Sequence, residues 1–186
     1  MPAVTNYIDD ISVNHTTLRY KLISQNNDNP WLVFFPGGPG FGFGMYEQAL
    51  LSFLPQVNLC LFDPRGCGNS PATGDIAAYT LKRVIEDAFC LIQVLQKQQR
   101  ISQRIILHGS SYGSMAALGF SIAHPQLVDQ LILVTGAASY HFIELAKMEL
   151  ANRGNAQQQA ICRDCLWPGQ FDRASVAVYF KLLGPL

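Results

Sequence analysis

A serine held between two glycines, where a strand must turn into a helix, constrains this chain more than any other feature. Gly109-Ser110-Ser111-Tyr112-Gly113 follows the apolar run Ile105-Ile106-Leu107 and precedes the helix-like stretch Met115-Ala116-Ala117-Leu118-Gly119-Phe120. Strand, sharp turn and helix form the setting that lifts a serine hydroxyl off the end of a sheet. Small residues two before and two after Ser111 leave room for the tight backbone such a turn needs. Two further glycine motifs stand upstream, each directly after an apolar run. They are Pro36-Gly37-Gly38-Pro39-Gly40 and Asp63-Pro64-Arg65-Gly66-Cys67-Gly68-Asn69-Ser70.

The apolar pattern around these motifs defines the architecture. Tyr7 to Val13 and Leu18 to Ser24 alternate as two strands around a polar turn, Asn14-His15-Thr16. Trp31–Phe35 is a continuous apolar run, as expected of a strand buried on both faces, and Val57–Phe62 reads as a second buried strand. A helix is expected from about Met45 to Phe53. From Thr80 to Gln99, the apolar residues Leu81, Val84, Ile85, Ala88, Leu91, Ile92 and Leu95 recur at helical spacing. Ile105–Leu107 and Leu131–Val134 add two strands. Strands alternating with helices predict an α/β fold with a mostly parallel sheet, right-handed crossovers and helices on both faces. After Gly136 the strand pattern stops. Residues 1–137 read as the sheet-bearing core, and 138–186 as a helical layer with polar joints at Asn155 and Gln157–Gln159.

Composition narrows the partners. With 186 residues, 49% of them hydrophobic, the chain can bury one sizeable core. Thirteen basic and thirteen acidic residues cancel, so neither nucleic acid nor an anionic membrane surface is expected as a partner. No apolar run approaches the roughly 18 residues of a membrane span, and no leader opens the chain. Five scattered cysteines fit reduced thiols in a cytoplasmic protein. Cys162 and Cys165 form the one close pair. Without a second pair or a histidine cluster nearby they read as helical thiols, so no metal or other cofactor is expected.

The chemistry assigns tasks. A serine hydroxyl is a poor nucleophile until a base takes its proton. An oxyanion developing on the substrate needs preorganised donors. Tyr112 N–H, at the start of the helix, would supply one. The second falls to Gly38, or alternatively Gly37, because Pro39 has no N–H. Gly40, Gly42 and Gly66 read as tight turns. Ser111 could also serve only as a helix cap, a common use of serine.

Taken together, the motifs resemble the prolyl aminopeptidase (proline iminopeptidase) branch of the α/β-hydrolase superfamily. That branch carries His-Gly-Gly-Pro-Gly, Asp-Gln-Arg-Gly-x-Gly-x-Ser and Gly-Gly-Ser-Trp-Gly-Ser. The match runs in order from about Trp31 to Gly136. The resemblance implies a cofactor-independent serine peptidase, acting through an acyl-enzyme on Ser111 to remove an N-terminal residue, often proline, from short peptides. It puts the oxyanion donors on Tyr112 and on Gly38 or Gly37, and implies that the Asp63–Ser70 loop, with Asp63 and Arg65, is mainly structural. Some positions depart from the pattern. Pro36 replaces histidine, Pro64 replaces glutamine, and Tyr112 replaces tryptophan.

In this fold an acid and a histidine follow the serine along the chain, and neither is evident. His15 lies in the N-terminal turn and His108 just before the elbow. His124 lies thirteen residues beyond Ser111 on one helix, about 20 Å away at about 1.5 Å per residue. His141, after the last strand, sits at the sheet end where ligands bind. The chain therefore reads as the N-terminal part of a larger hydrolase with the beginning of its cap. The cap carboxylates Glu144, Glu149, Asp164 and Asp172 are open candidates for holding a substrate amine. An esterase of the same fold, or an inactive remnant that binds peptide, are the alternatives. If the sheet ends at Leu131–Val134, that wholly apolar edge should promote self-association.

Overall fold

The computed structural model describes residues 4–183. Two compact units divide after Ala138.

The first unit carries a six-stranded sheet in the order β1-β2-β4-β3-β5-β6. Its elements are β1 (Thr5–Val13), β2 (Thr16–Ser24), β3 (Trp31–Phe35), α1 (Glu47–Leu50), β4 (Asn58–Phe62), α2 (Leu81–Lys97), β5 (Ile105–Ser110), α3 (Tyr112–Ala123) and β6 (Val128–Val134). β1 and β2 form a hairpin through Asn14 and His15, both with positive φ, and β2 runs antiparallel to β4. β4, β3, β5 and β6 are mutually parallel.

Alternation along the continuous apolar strands explains why they are apolar throughout. Val33, Phe35, Cys60, Phe62, Ile105 and Leu107 point to one face, where α2 and α3 cover them with Leu91, Ile92, Leu95, Ala117 and Phe120. Leu32, Phe34, Leu59, Leu61 and Ile106 point to the other, against Phe43, Leu50, Leu54 and Val57. A strand buried on both sides has no polar face to show. α2 begins where Thr80 Oγ1 accepts the Arg83 N–H at 3.2 Å, an N-cap that satisfies one orphan donor of the first turn.

The expected helix from Met45 to Phe53 is broken instead. A 3-10 turn at Phe43–Met45, the four-residue α1 and a second 3-10 turn at Leu51–Phe53 follow one another. Their buried residues, Phe43, Leu50 and Leu54, are drawn onto the sheet at intervals that one straight helix would not match. β5 and β6 are longer than their apolar runs, reaching Ser110 and starting at Val128. β6 is an edge strand, paired only with β5, and Ile132, Leu133 and Val134 are partly exposed.

The second unit is helical: α4 (His141–Arg153), α5 (Ala156–Ile161), a π-helical turn at Cys162–Leu166, and α6 (Arg173–Leu183). The glutamine-rich stretch is not a joint. Asn155 and Gln158 form a capping box, with Asn155 Oδ1 accepting from Gln158 N and Gln158 Oε1 accepting from Asn155 N, both at 3.0 Å. Gln157–Gln159 lie inside α5, because that reciprocal pair satisfies the orphan donors and starts the helix. Cys162 is buried within the π-helical turn, with Cys165 three residues on. No helix among the described residues is long and apolar enough to cross a membrane.

Candidate active site at the strand-to-helix elbow

Gly109 and Gly113 have the same cause seen from two sides. A Cβ on Gly109 would strike the Gly113 carbonyl and the backbone of Ser114, because β5 and α3 meet at almost no distance. A Cβ on Gly113 would drive into the carbonyls of Phe35 and Pro36, where α3 rests on the end of β3. Between them Ser111 takes φ 52° and ψ −119°, a positive φ that costs a side-chain-bearing residue energy. Its N–H donates to the Val134 carbonyl at 2.8 Å and its carbonyl accepts from Ser114 N at 2.9 Å. Ser114 Oγ, buried, lies 2.6 Å from the Gly109 carbonyl and accepts the Val134 N–H at 3.1 Å. The elbow is thus pinned to its own strand and to β6.

The cap-only reading of Ser111 fails on geometry. Ser111 occupies the N-cap position of α3, yet its side chain makes no capping hydrogen bond, and the residue is exposed. Strain and a free hydroxyl coincide at one residue.

The Pro36–Gly40 loop lies beside it. A Cβ on Gly37 would touch the Tyr46 hydroxyl and stand 3.2 Å from Ser110 O and 3.5 Å from Ser111 Cβ. Gly37 is therefore packed against the elbow. Gly38 has φ 128°, a conformation open to glycine, and precedes a cis bond to Pro39. Tyr112 opens α3, and the first N–H groups of a helix have no acceptor within it.

Asp63 and Arg65 are built into the scaffold. The Asp63 carboxylate accepts the N–H groups of Phe43 and Asn69, each at 2.7 Å, and so ties the two glycine loops together. Gly42 is not a tight turn as expected. It must be glycine because a Cβ would collide with the Asp63 carboxylate and stand 2.8 Å from Gly68 Cα. Arg65 makes a two-pronged pair with Asp87, both contacts 2.6 Å, with side chains only 6% and 1% exposed. That hydrogen bonding raises the Arg65 pKa further. Asn14 donates to the same carboxylate at 2.8 Å.

The histidines are placed apart. His108 sits between the rings of Phe34 and Phe53 at 5.2 and 6.2 Å, with Nδ1 buried and unpartnered, and burial lowers its pKa. His124 ends α3 stacked on Phe89 at 3.9 Å. His15 is in the hairpin turn, and His141 begins α4 in the helical unit. No hydrogen bond joins Ser111 to a histidine or carboxylate among the described residues. Glu144, Glu149 and Asp164 pair with Lys147, Arg153 and Arg163, and Asp172 accepts from Ser175. No cluster of three or more metal-ligating side chains occurs among the described residues.

A cavity of about 290 Å³ opens between the loops, lined by Pro36, Gly37, Pro64, Cys67 and Tyr112 among others. It lies at the C-terminal ends of the parallel strands, where open α/β sheets bind ligands. Sequence reasoning missed this cavity, together with Tyr46 and Ser114. Only the serine after the elbow glycine, part of the resembled motif, could have drawn attention to Ser114.

An elbow serine on a mostly parallel sheet, with glycine loops at the strand ends, defines a class. Residues 30–161 match the α/β-hydrolase fold family, and the chain belongs to it. Its relatives include several proline iminopeptidases and a 2-succinyl-6-hydroxy-2,4-cyclohexadiene-1-carboxylate synthase of Photorhabdus laumondii. It is 31% identical over 123 residues to the proline iminopeptidase of Saccharolobus solfataricus, covering 64% of this chain and 37% of that protein. It is 34% identical over 116 residues to a putative proline iminopeptidase of Mycoplasma pneumoniae, covering 61% and 35%. The chain thus spans little more than a third of either relative. Among solved structures, it superposes on a proline iminopeptidase-related protein of Thermus thermophilus with TM-score 0.69, at 20% identity, covering 97% of this chain and 58% of that one. The epoxide hydrolase VrEH1 of Vigna radiata superposes with TM-score 0.66 at 16% identity, covering 95% and 53%. These structural likenesses show the shared fold.

Proposed function

We propose that this chain carries the nucleophile and oxyanion hole of a serine hydrolase that removes an N-terminal residue, proline-type, from short peptides. The observation that carries the reading is Ser111 itself: exposed, at φ 52°, with its hydroxyl unused by the helix it opens. In this reading Ser111 Oγ adds to the scissile carbonyl carbon, and its proton passes to a histidine. The carbonyl electrons move onto oxygen, where Tyr112 N–H and Gly38 N–H, or Gly37 N–H in its place, hold them. The carbon–nitrogen bond then breaks, and the amine leaves with the proton from that histidine. Water hydrolyses the acyl-enzyme. The acid and histidine are taken to belong to the portion of the fold that the longer relatives have and this chain does not span. Residues 139–186 are taken as the start of a helical lid.

The test is labelling by a fluorophosphonate in the complete protein. Wild type should label and Ser111→Ala should not; equal labelling of both would sink the assignment. A second reading, an esterase on the same fold, draws on one observation. The carboxylates that could hold a free amine, Glu144, Glu149, Asp164 and Asp172, each have a partner within the helical unit. Turnover of a prolyl anilide against a short acyl ester separates the two readings. Preference for the ester, with no release from any free-amine substrate, favours the esterase.

A further inference from the structure

Asn14, His15, Gln99, Ser111 and Thr135 are the side-chain-bearing residues with positive φ among the described residues. The first three belong to turns that call for it. Asn14 and His15 make the turn of the β1–β2 hairpin. Gln99 ends α2: its N–H donates to the Gln96 carbonyl and the Arg100 N–H to the Leu95 carbonyl, both at 2.9 Å, the pairing that closes a helix on a left-handed residue. Ser111 and Thr135 remain, and they meet at one atom. The Val134 carbonyl oxygen accepts the Ser111 N–H at 2.8 Å and the Thr135 hydroxyl at 2.7 Å.

Threonine is a costly choice at φ 52°. Its branched Cβ crowds the backbone there, where glycine or asparagine would sit more easily. The same φ, however, swings Cβ alongside the preceding carbonyl, from which it stands away at the usual negative φ. Oγ1 can then reach back to the Val134 oxygen. Protons and lone pairs around that oxygen balance. Ser114 Oγ, on a residue only 1% exposed, lies 2.6 Å from the Gly109 carbonyl and 2.8 Å from that of Val134. It has one proton to give. Donating it over the shorter distance, to Gly109, leaves the two lone pairs of the Val134 oxygen to Ser111 and Thr135. The Val134 N–H donates to Ser114 Oγ at 3.1 Å, and a Cβ on Gly136 would strike Ser114 Cβ. Val134 is thus held at its N–H by Ser114 and at its carbonyl by Thr135.

We infer that Thr135 is a positioning residue for the elbow: its hydroxyl fixes the Val134 carbonyl, and that carbonyl holds Ser111 in the backbone conformation that presents its Oγ. The inference rests on the reading of Ser111 as nucleophile. Thr135 acts through another group, the carbonyl that receives the Ser111 N–H. Val134 and Thr135 are both exposed, so without the hydroxyl this carbonyl can turn toward water. Ser111, released, can then relax from φ 52°.

The experiment measures the rate of fluorophosphonate labelling and the melting temperature of the complete protein, as wild type and as Thr135→Gly, Thr135→Val and Thr135→Ser. Glycine takes φ 52° freely, so Thr135→Gly removes the hydroxyl and the strain together. Its melting temperature should hold or rise while labelling slows about fivefold, the net worth of one hydrogen bond. Thr135→Val should slow labelling as much, and Thr135→Ser, which keeps the hydroxyl, should bring it back to within about twofold of wild type. Labelling and melting that fall together in the glycine variant would return Thr135 to a structural role. Labelling of the glycine variant at the wild-type rate, or a serine variant as slow as valine, would overturn the inference. If wild type itself does not label, the nucleophile reading falls, and hydrogen exchange decides the role of Thr135 separately. The Ser111 amide, followed by mass spectrometry of the peptide that contains it, should exchange at least about threefold faster in Thr135→Gly than in Thr135→Ser. Equal exchange would show that the Thr135 hydroxyl does not hold the Val134 carbonyl.

Discussion

The two ends of the parallel strands differ in a way that cavity size alone would misjudge. At their N-terminal ends a depression of about 570 Å³ is lined by Trp31, Asn58, Arg100, Arg104 and Asp129. At their C-terminal ends the cavity is about half as large. Yet three of the four charged side chains that line the larger space, Arg100, Arg104 and Asp129, are engaged. Arg104 pairs with Asp129 and donates to the Val128 carbonyl at 2.9 Å. Arg100 lies 3.6 Å over the Tyr7 ring and donates to Tyr20 Oη at 3.3 Å. Asn58 holds its loop by donating to the carbonyls of Asn26 and Asn29 at 2.8 and 3.2 Å. The smaller end holds positive φ at Gly38, Ser111 and Thr135, and an exposed serine hydroxyl. Positive φ alone does not separate the ends, since Gln99 beside the larger space has φ 56°; only at Ser111 does it coincide with an exposed serine that its own helix leaves uncapped. Four substitutions would break or sharpen that contrast.

Arg65→Ala should cost most. It would leave Asp87, 1% exposed, without its cation, and removing one member of a buried pair costs about 3–5 kcal/mol. Urea unfolding of residues 1–186 measures it; a loss below 1 kcal/mol would mean that water reaches the site. Gly113→Ala should come next, at about 2–3 kcal/mol. Its methyl would meet the fixed backbone of Phe35 and Pro36 rather than a side chain that can turn away. Unchanged stability would show that α3 does not rest on β3 as described.

Ser111→Gly should act in the opposite direction. Glycine accepts φ 52° without penalty, so stability should rise by about 1 kcal/mol while fluorophosphonate labelling disappears. A melt that moves down instead would remove strain from the description of the elbow. At the other end of the strands, Asp129→Asn should change stability by less than about 1 kcal/mol. Its pair with Arg104 is about half exposed on both sides. A larger loss there would cancel the contrast between the two ends.

These contrasts were legible in the sequence to unequal degrees. β3 and β4 were plain because both faces of each strand are buried, so no polar alternation interrupts Trp31–Phe35 or Leu59–Phe62. α2 was plain because one face alone, Val84 to Leu95, meets the sheet. The stretch from Phe43 to Phe53 misled because its apolar residues suit a helix while the surface it covers demands three short turns. At the site, Ser111 and its glycines declared themselves through local spacing. Gly42 did not, because the reason for it is Asp63, twenty-one residues away along the chain. The cavity was equally hidden. It exists only where the loops after β3 and β4 come together at the head of α3, and no local pattern records that meeting.

The smallest effect on the fold should come from the sheet's edges, and there the contrast is chemical. β1, at one edge, carries Asp9 and Asp10, with Arg19 bonded to Asp10 at 2.7 Å and Arg100 set over Tyr7. Charges of that kind discourage a second chain from adding to the ladder. β6, at the other edge, carries Leu131, Ile132, Leu133 and Val134 in succession, and the last three are 40%, 43% and 42% exposed. We expect a polypeptide of residues 1–186 to self-associate through β6. Ile132→Lys should leave unfolding within about 0.5 kcal/mol of wild type, as exposed substitutions do, while lowering the associated fraction. Lys21→Ala, on the interior strand β2, serves as the comparison, since it alters charge without touching either edge. Light scattering across a concentration series reads the result. A wild-type protein that stays a monodisperse monomer would show that β6 is no docking edge.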